Sequence, residues 1–249
     1  MDFAPGAWKY AWLPLLAAPF ALVISATAAA LSLAVGLGVL AFFRDPERRA
    51  PPTGVVSPAD GTVSVLRKEG ERVRLGVFMN VWHVHVVRAP FGGHVTDVEH
   101  VSGAHKPAFS KDSDRNERVH VSLETDSDHL PDDGDREQGA DGPNTDTATV
   151  TLIAGAFARR IFPYTEPDDD LERGERLGHI AFGSRVDVLF PPTVEIDDIA
   201  VSTGDSVTAG ETVVLESDDG FDEHVFDVDL DPADDDDETA GTGTSSSGT

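Results

Sequence analysis

Two hydrophobic regimes divide the chain. From Tyr10 to Phe43 there is no charged residue, and Leu, Ala, Val and Phe occupy every phase of the run. Such all-round apolarity predicts helix buried in lipid rather than an amphipathic helix laid on a core. As a single helix the run would reach about 50 Å, against a hydrocarbon core of about 30 Å. One long tilted span satisfies that length, and so does a helical hairpin broken near Ser25-Ala26-Thr27. A cleavable signal peptide fits poorly, because the run is too long and lacks a clean small-residue cleavage site.

After Pro46 the pattern changes to short apolar alternations separated by Gly, Pro and Asp. The runs Thr62–Val65, Val73–Phe78, His83–Val87, Val119–Leu123, Val150–Ile153, Val186–Phe190 and Thr212–Leu215 read as strands. Glu124 to Thr147 is acidic, Gly-rich and apolar-poor, a solvated loop inserted between two strands. From Asp218 the text becomes Asp-rich and then Gly/Thr/Ser-rich, the composition of a disordered tail. Three segments result: a membrane-embedded piece (1–43), a mainly β domain (44–217, with the acidic insertion at 124–147) and an acidic tail (218–249).

An internal echo narrows the β architecture. Leu171–Gly178 and Val207–Val214 share a strand-turn-strand form in which Gly-Glu ends a tight reversal, at Gly174-Glu175 and Gly210-Glu211. The pattern resembles the half-repeat of lipoyl/biotinyl-like β-sandwiches or barrels, with Pro58–Val63 as a complementary strand. Glycine supplies the positive φ such turns demand. A swinging-arm carrier needs a lysine at a hairpin tip. None of the four lysines (Lys9, Lys68, Lys106, Lys111) lies in either copy, so biotin or lipoate attachment is not expected.

Charge changes the picture of the surroundings. Forty-five acidic residues against 19 basic ones give a formal charge of -26. Acidic residues recur along the whole soluble part, which favours a halophile over an ordinary protein with an acidic tail, because molar salt screens the self-repulsion. Nucleic acid is not an expected partner, since phosphate backbones require a basic footprint. Cysteine is absent, which removes disulfides and thiolate chemistry. Lys9 flanks one side of the apolar run and Arg44, Arg48 and Arg49 the other; the larger cluster places the β domain on the cytoplasmic face of the cell membrane.

Several polar clusters invite chemistry. Ser57-Pro58-Ala59-Asp60-Gly61 reads as an Asp-Gly turn with an acid to spare. In Trp82-His83-Val84-His85 the alternation puts His83 and His85 on one face of a strand, where either serves as a base or a surface residue. A metal site there would need further ligands that the neighbouring sequence lacks, so no metal is expected. Arg159 and Arg160 form either a solvated flank or an anion site. Phe182-Gly183-Ser184-Arg185 follows a strand and is, by itself, ordinary turn material.

Together these marks resemble the phosphatidylserine decarboxylase proenzymes, in particular the short microbial form, whose archaeal members act on archaetidylserine. They are Phe43-Arg44-Asp45-Pro46, Ser57–Gly61, His85–Pro90, Asn116-Glu117-Arg118, Ile153-Ala154-Gly155 with Ala158-Arg159-Arg160, and Arg173-Gly174-Glu175 leading to Phe182–Asp187, in that order over residues 42–215. The resemblance implies self-cleavage between Gly183 and Ser184, with Ser184 becoming an amino-terminal pyruvoyl cofactor that forms a Schiff base with a membrane phospholipid substrate. It implies that fragments 1–183 and 184–249 stay associated. It assigns Ser184 as nucleophile, His85 as base and Asp60 as the acid orienting it, with His83 as the alternative base and Arg159 or Arg160 as phosphate ligands. A membrane-tethered, non-catalytic β-domain adaptor is the competing reading.

Overall fold

The computed structural model describes residues 2–103, 115–125, 147–155, 160–181 and 184–216. These all fall within one compact unit, Met1–Asp219. The acidic tail, and residues 126–146 of the acidic insertion, lie outside the described residues.

The apolar run folds as two helices, α1 (Ala7–Ala21) and α2 (Ala26–Phe42). They pack as a hairpin, so the break anticipated near Ser25 is where the chain turns. Ser25 caps α2 by accepting a bond from the Ala28 N–H at 3.1 Å, which satisfies one of the donors every helix start leaves open. Ser32 on α2 donates to the Pro14 carbonyl on α1 at 2.7 Å. The contact is close because Gly36 faces Leu15: a Cβ on residue 36 would stand 2.5 Å from the leucine Cδ2. Trp12, Leu16, Phe20, Ile24, Leu31 and Val35 point outward and exposed. At 15 and 17 residues the helices are about 22 and 26 Å long. No helix among the described residues is long and apolar enough to cross a membrane.

Among the described residues fifteen strands follow the mainly β expectation: β1 (Asp2–Phe3), β2 (Arg44–Asp45), β3 (Val55–Val56), β4 (Gly61–Glu69), β5 (Arg72–Met79), β6 (Val86–Arg88), β7 (Gly93–Val101), β8 (Arg118–Thr125), β9 (Thr147–Ala154), β10 (Ile161–Pro163), β11 (Asp170–Leu171), β12 (Arg176–Ile180), β13 (Ser184–Leu189), β14 (Ser206–Val207) and β15 (Val213–Leu215). Eight form a curled antiparallel sheet in the order β11-β7-β8-β9-β13-β5-β4-β14. Its middle strands are buried almost throughout, and Leu75, Val77, Val121, Leu152, Val186 and Val188 fill the core between its curled faces. The acidic insertion joins neighbours β8 and β9, whose last rung is Glu124 opposite Thr147.

The two echo copies hold equivalent places. In one, β11 pairs with β7 and β12 with β6; in the other, β14 pairs with β4 and β15 with β3. Pro58–Val63 supplies the strand that meets β14, through Val207 opposite Gly61. Gly174 and Gly210 take φ of 81° and 71°, the left-handed turn conformation that the Gly-Glu pattern requires. A 3-10 turn, Ile196–Asp198, lies between β13 and β14.

One predicted strand is corrected. His83–His85 do not continue β6: residues 80–83 form a turn, with the Trp82 N–H bound to Asn80 Oδ1 at 2.9 Å and the His83 N–H to the Asn80 carbonyl at 3.1 Å. Two side chains i, i+2 in a turn no longer share a strand face, and the two histidines have separate surroundings.

Candidate active site

Ser184 opens β13 at the end of the sheet's central pair of strands, with Met79 on one side and Ala154 on the other. Its side chain is fully buried and its hydroxyl has no hydrogen-bond partner. An unpaired buried hydroxyl costs about 1–3 kcal/mol, and native proteins retain such groups mainly where they are used. The strand beyond it is held rigidly. Asp187, also buried, accepts from Arg185 Nε at 2.7 Å and from Arg74 at 2.9 Å. Asn116 donates to the Ala154 carbonyl at 2.7 Å, fixing the rung beside Ser184. Gly183 lies outside the described residues.

His85 is buried, and its ring leans on Phe42 with centroids 4.3 Å apart. Nδ1 stands 2.9 Å from the His83 carbonyl. A carbonyl only accepts, so Nδ1 carries the proton and the lone pair sits on Nε2. Burial, followed by the neighbouring His83, Arg44 and His179, pushes the imidazole down to about 4. The ring is therefore neutral in ordinary buffers, with a basic nitrogen of fixed tautomer. His83 is spent differently, its Nδ1 accepting from the Asn80 N–H at 3.2 Å.

Asp60 makes no hydrogen bond to His85. Its carboxylate receives Arg48 at 2.9 Å and the Ala209 N–H at 2.9 Å, while Arg48 also holds Glu211 at 2.9 Å. His85 is oriented at Nδ1 by the His83 carbonyl, and Asp60 ties the β3–β4 turn to the β14–β15 turn. Arg160 is exposed, and its carbonyl accepts from the Ala181 N–H at 3.3 Å. Arg159 lies outside the described residues. Among the described residues, no group of three or more His, Asp or Glu side chains is placed to hold a metal ion.

The base of the hairpin closes over this end of the sheet. Phe42 and Phe43 pack with Val84, Val86 and Ala181, and together with Arg44, His85 and His179 they line a tight cleft. Arg44 also lines a neighbouring apolar groove of about 470 Å³, formed by Val35, Val39, Phe42, Val81 and the exposed Trp82.

Below the cleft, Asp45 is buried between Arg88 and Arg176. Arg88 further donates to the carbonyls of Gly174 at 2.8 Å and Pro46 at 2.9 Å. Segments scattered over 130 positions of the sequence thus meet at one buried ion cluster. Removing one partner of such a cluster leaves a buried charge uncompensated, at roughly 3–5 kcal/mol. Asp45→Ala is accordingly expected to lower the denaturant midpoint of unfolding with an unchanged slope. A midpoint equal to the parent's would show that desolvation cancels the attraction.

Residues 36–215 match the phosphatidylserine decarboxylase family. The chain belongs to that family. It is 47% identical over 211 residues, 84% of this chain and 96% of the relative, to a Halobacterium salinarum protein named as an archaetidylserine decarboxylase proenzyme. It is 44% identical over 180 residues, 72% of this chain and 74% of the relative, to the phosphatidylserine decarboxylase proenzyme of Streptomyces griseus. A Methanosarcina acetivorans protein named as an archaetidylserine decarboxylase proenzyme is 39% identical over 189 residues, 75% of this chain and 79% of the relative.

Membership of the decarboxylase family gives the buried cluster a reading: Asp45, Arg88 and Gly174 are the residues through which three of the family marks touch. Arg44 and His179 line the cleft, and sequence reasoning singles out neither for it. Arg44 has a signal in Phe43-Arg44-Asp45-Pro46 but reads there as a membrane flank. His179 and Tyr164, bonded to one another at 2.7 Å, lie 15 residues apart with nothing in the text to link them.

Proposed function

We propose that this chain is a precursor that cuts itself between Gly183 and Ser184 and then, with the pyruvoyl group made from Ser184, decarboxylates a serine phospholipid, archaetidylserine or phosphatidylserine, to its ethanolamine counterpart. The observation that carries the reading is the Ser184 hydroxyl, buried and unpartnered at the first position of a clamped central strand, in a chain of this family.

Serine is a poor nucleophile until a base takes its proton, and His85 offers a neutral imidazole whose lone pair is on Nε2. With the proton removed, Ser184 Oγ attacks the Gly183 carbonyl; the peptide C–N bond breaks and an ester forms. Loss of the Ser184 Cα proton expels the Gly183 carboxylate and leaves dehydroalanine at position 184. Water then replaces its nitrogen, which departs as ammonia. The fit to a pyruvoyl group rests on that hydroxyl, which has no hydrogen-bond partner among the described residues. Once formed, the pyruvoyl group would supply a carbonyl for the substrate amine and an acceptor for the electron pair left when carbon dioxide departs.

Two features support an amphiphilic substrate. The apolar groove leads to Arg44, and Arg44 lines the His85 cleft as well, so a tail, an anionic group and a headgroup would meet matching surfaces in order. Arg160, exposed beside Ala181, offers a second cation for the lipid phosphate, as Arg159 would. The exposed apolar hairpin is far larger than a soluble surface tolerates. We place it in the cell membrane, with the β domain on the cytoplasmic face and held at the bilayer surface where the lipid is found.

The test is purification in molar salt followed by incubation with vesicles containing a serine phospholipid. The expected result is two polypeptides, the smaller blocked to Edman degradation, with release of carbon dioxide and appearance of the ethanolamine lipid. A single uncut chain in active cells would overturn the reading. Maximal activity near physiological salt would remove the halophile part, because a charge of -26 repels anionic vesicles when screening is weak.

A further inference from the structure

His179 on β12 is buried to 2% exposure. Its ring stacks on Phe162, with centroids 4.5 Å apart and planes 10° apart, and meets Phe43 edge-on at 6.0 Å. Nδ1 lies 2.7 Å from the Tyr164 hydroxyl. On the other side of the ring, Nε2 is buried with no hydrogen-bond partner. The cleft that His179 shares with His85 leaves no room for a water molecule in this conformation, so solvent does not satisfy that nitrogen either.

Tyr164 decides what Nε2 offers. Burial raises the phenol's pKa, so the hydroxyl keeps its proton, and an O–H facing an imidazole nitrogen is the better donor of the two. Nδ1 then accepts, and the ring hydrogen resides on Nε2. Burial also pushes His179 down to about 4, which keeps the ring neutral. The result is an oriented N–H donor in a dry cleft beside His85, with aromatic rings fixing the plane of the imidazole. Donors of this kind bind anionic oxygens strongly, because a charge-assisted bond gains most where water is excluded.

We propose that His179, with its tautomer set by Tyr164, is a further substrate-binding residue, donating Nε2–H to an anionic oxygen of the lipid headgroup once Phe42 and Phe43 give way to the ligand. This rests on the decarboxylase reading above. The headgroup carries two anionic groups with such oxygens, the serine carboxylate and the phosphate, and the donor serves either by the same chemistry.

The matured full-length protein is assayed on vesicles containing the serine phospholipid, with the ethanolamine lipid, which lacks the carboxylate, as competing inhibitor. His179→Phe is expected to mature normally and to raise KM about 10- to 100-fold, the worth of one hydrogen bond to a charged group, with kcat changed far less. His179→Gln, whose amide N–H reaches a similar position, should recover much of that loss, and Tyr164→Phe should raise KM several-fold. Inhibition by the ethanolamine lipid weakened in parallel assigns the contact to the phosphate; unchanged inhibition assigns it to the carboxylate. A parental KM in His179→Phe overturns the proposal, and so does failure of His179→Gln to mature, which would make the residue structural. Wild-type protein that decarboxylates nothing would instead sink the functional reading itself.

Discussion

Replacing Ser184 by alanine is expected to leave one uncut polypeptide of about 26.5 kDa with no decarboxylase activity, whereas the parent runs as two fragments. The effect is all-or-none, because alanine has neither the oxygen that attacks Gly183 nor any route to a pyruvoyl group. The substitution is also unusually clean. The hydroxyl accepts and donates nothing in the folded chain, so its removal relieves an unsatisfied polar group rather than breaking a bond. Stability should therefore be unchanged or higher by about 1 kcal/mol. Intact mass and a denaturant titration on the same sample check both halves. A Ser184→Ala chain that still separates into 1–183 and 184–249 would disprove the mechanism, and one that unfolds would disprove the description of the hydroxyl.

His85→Ala should slow maturation by a factor of about 100 to 10,000, the usual reach of a general base. The pH dependence distinguishes this base from an ordinary one. With the imidazole held at about 4, cutting of freshly folded precursor should proceed at a constant rate from pH 8 to about 5 and fall tenfold per unit below about 4. An exposed histidine would begin to fail near 6.5, and a rate already falling at pH 6.5 would exclude the buried ring. The same shifts bear on stability. His85 and His179 are both depressed in the folded protein, so the unfolded chain binds protons first. Their contribution is complete above pH 6.5 and is lost as pH falls from there toward 4. With each imidazole held at about 4 instead of about 6.5, it is on the order of 3 kcal/mol for each ring.

The sheet was legible wherever apolar alternation ran unbroken. Val73–Phe78 and Val150–Ile153 sit inside β5 and β9, each extended by a residue or more. β7 escaped notice for a physical reason. Its register against β8 shifts between Val95 and Asp97, and such a bulge moves the inward phase by one residue. Its core-facing Val95 and Val98 therefore stand three residues apart, a spacing that does not look like a strand. The opposite error occurred at His83–His85, where β-favouring side chains stand in a turn set by the amide of Asn80. Local pattern carries no information about that bond.

At the site, the serine and the buried histidine were visible as motif members, while their surroundings were not. Asp60 lay in a recognisable turn, yet its partners are Arg48 and the backbone of residue 209, the latter 149 positions away. Only folding reveals that choice. His179 is a single polar letter in the run Leu177–Ala181, and its meaning depends on Tyr164 and on a cleft built from the far end of the chain. The hairpin was an intermediate case: composition marked the apolar run but left one long span and a hairpin broken near Ser25 both open, and the fold takes the hairpin.

The place of β13 in the sheet has one more consequence. It is bonded on both flanks, to β5 and β9, and the chain after it supplies β14 and β15 to partners in the first half of the sequence. A cut just before Ser184 therefore leaves the shape standing but changes the kinetic order of its assembly. The precursor folds as a unimolecular process. The matured protein, once unfolded, would have to reassemble by encounter of two chains, one of them short, at a rate set by concentration. On the proposed mechanism the serine that could rejoin them would have been consumed. Maturation would make the native state a product of history, reached easily once and regained only with difficulty.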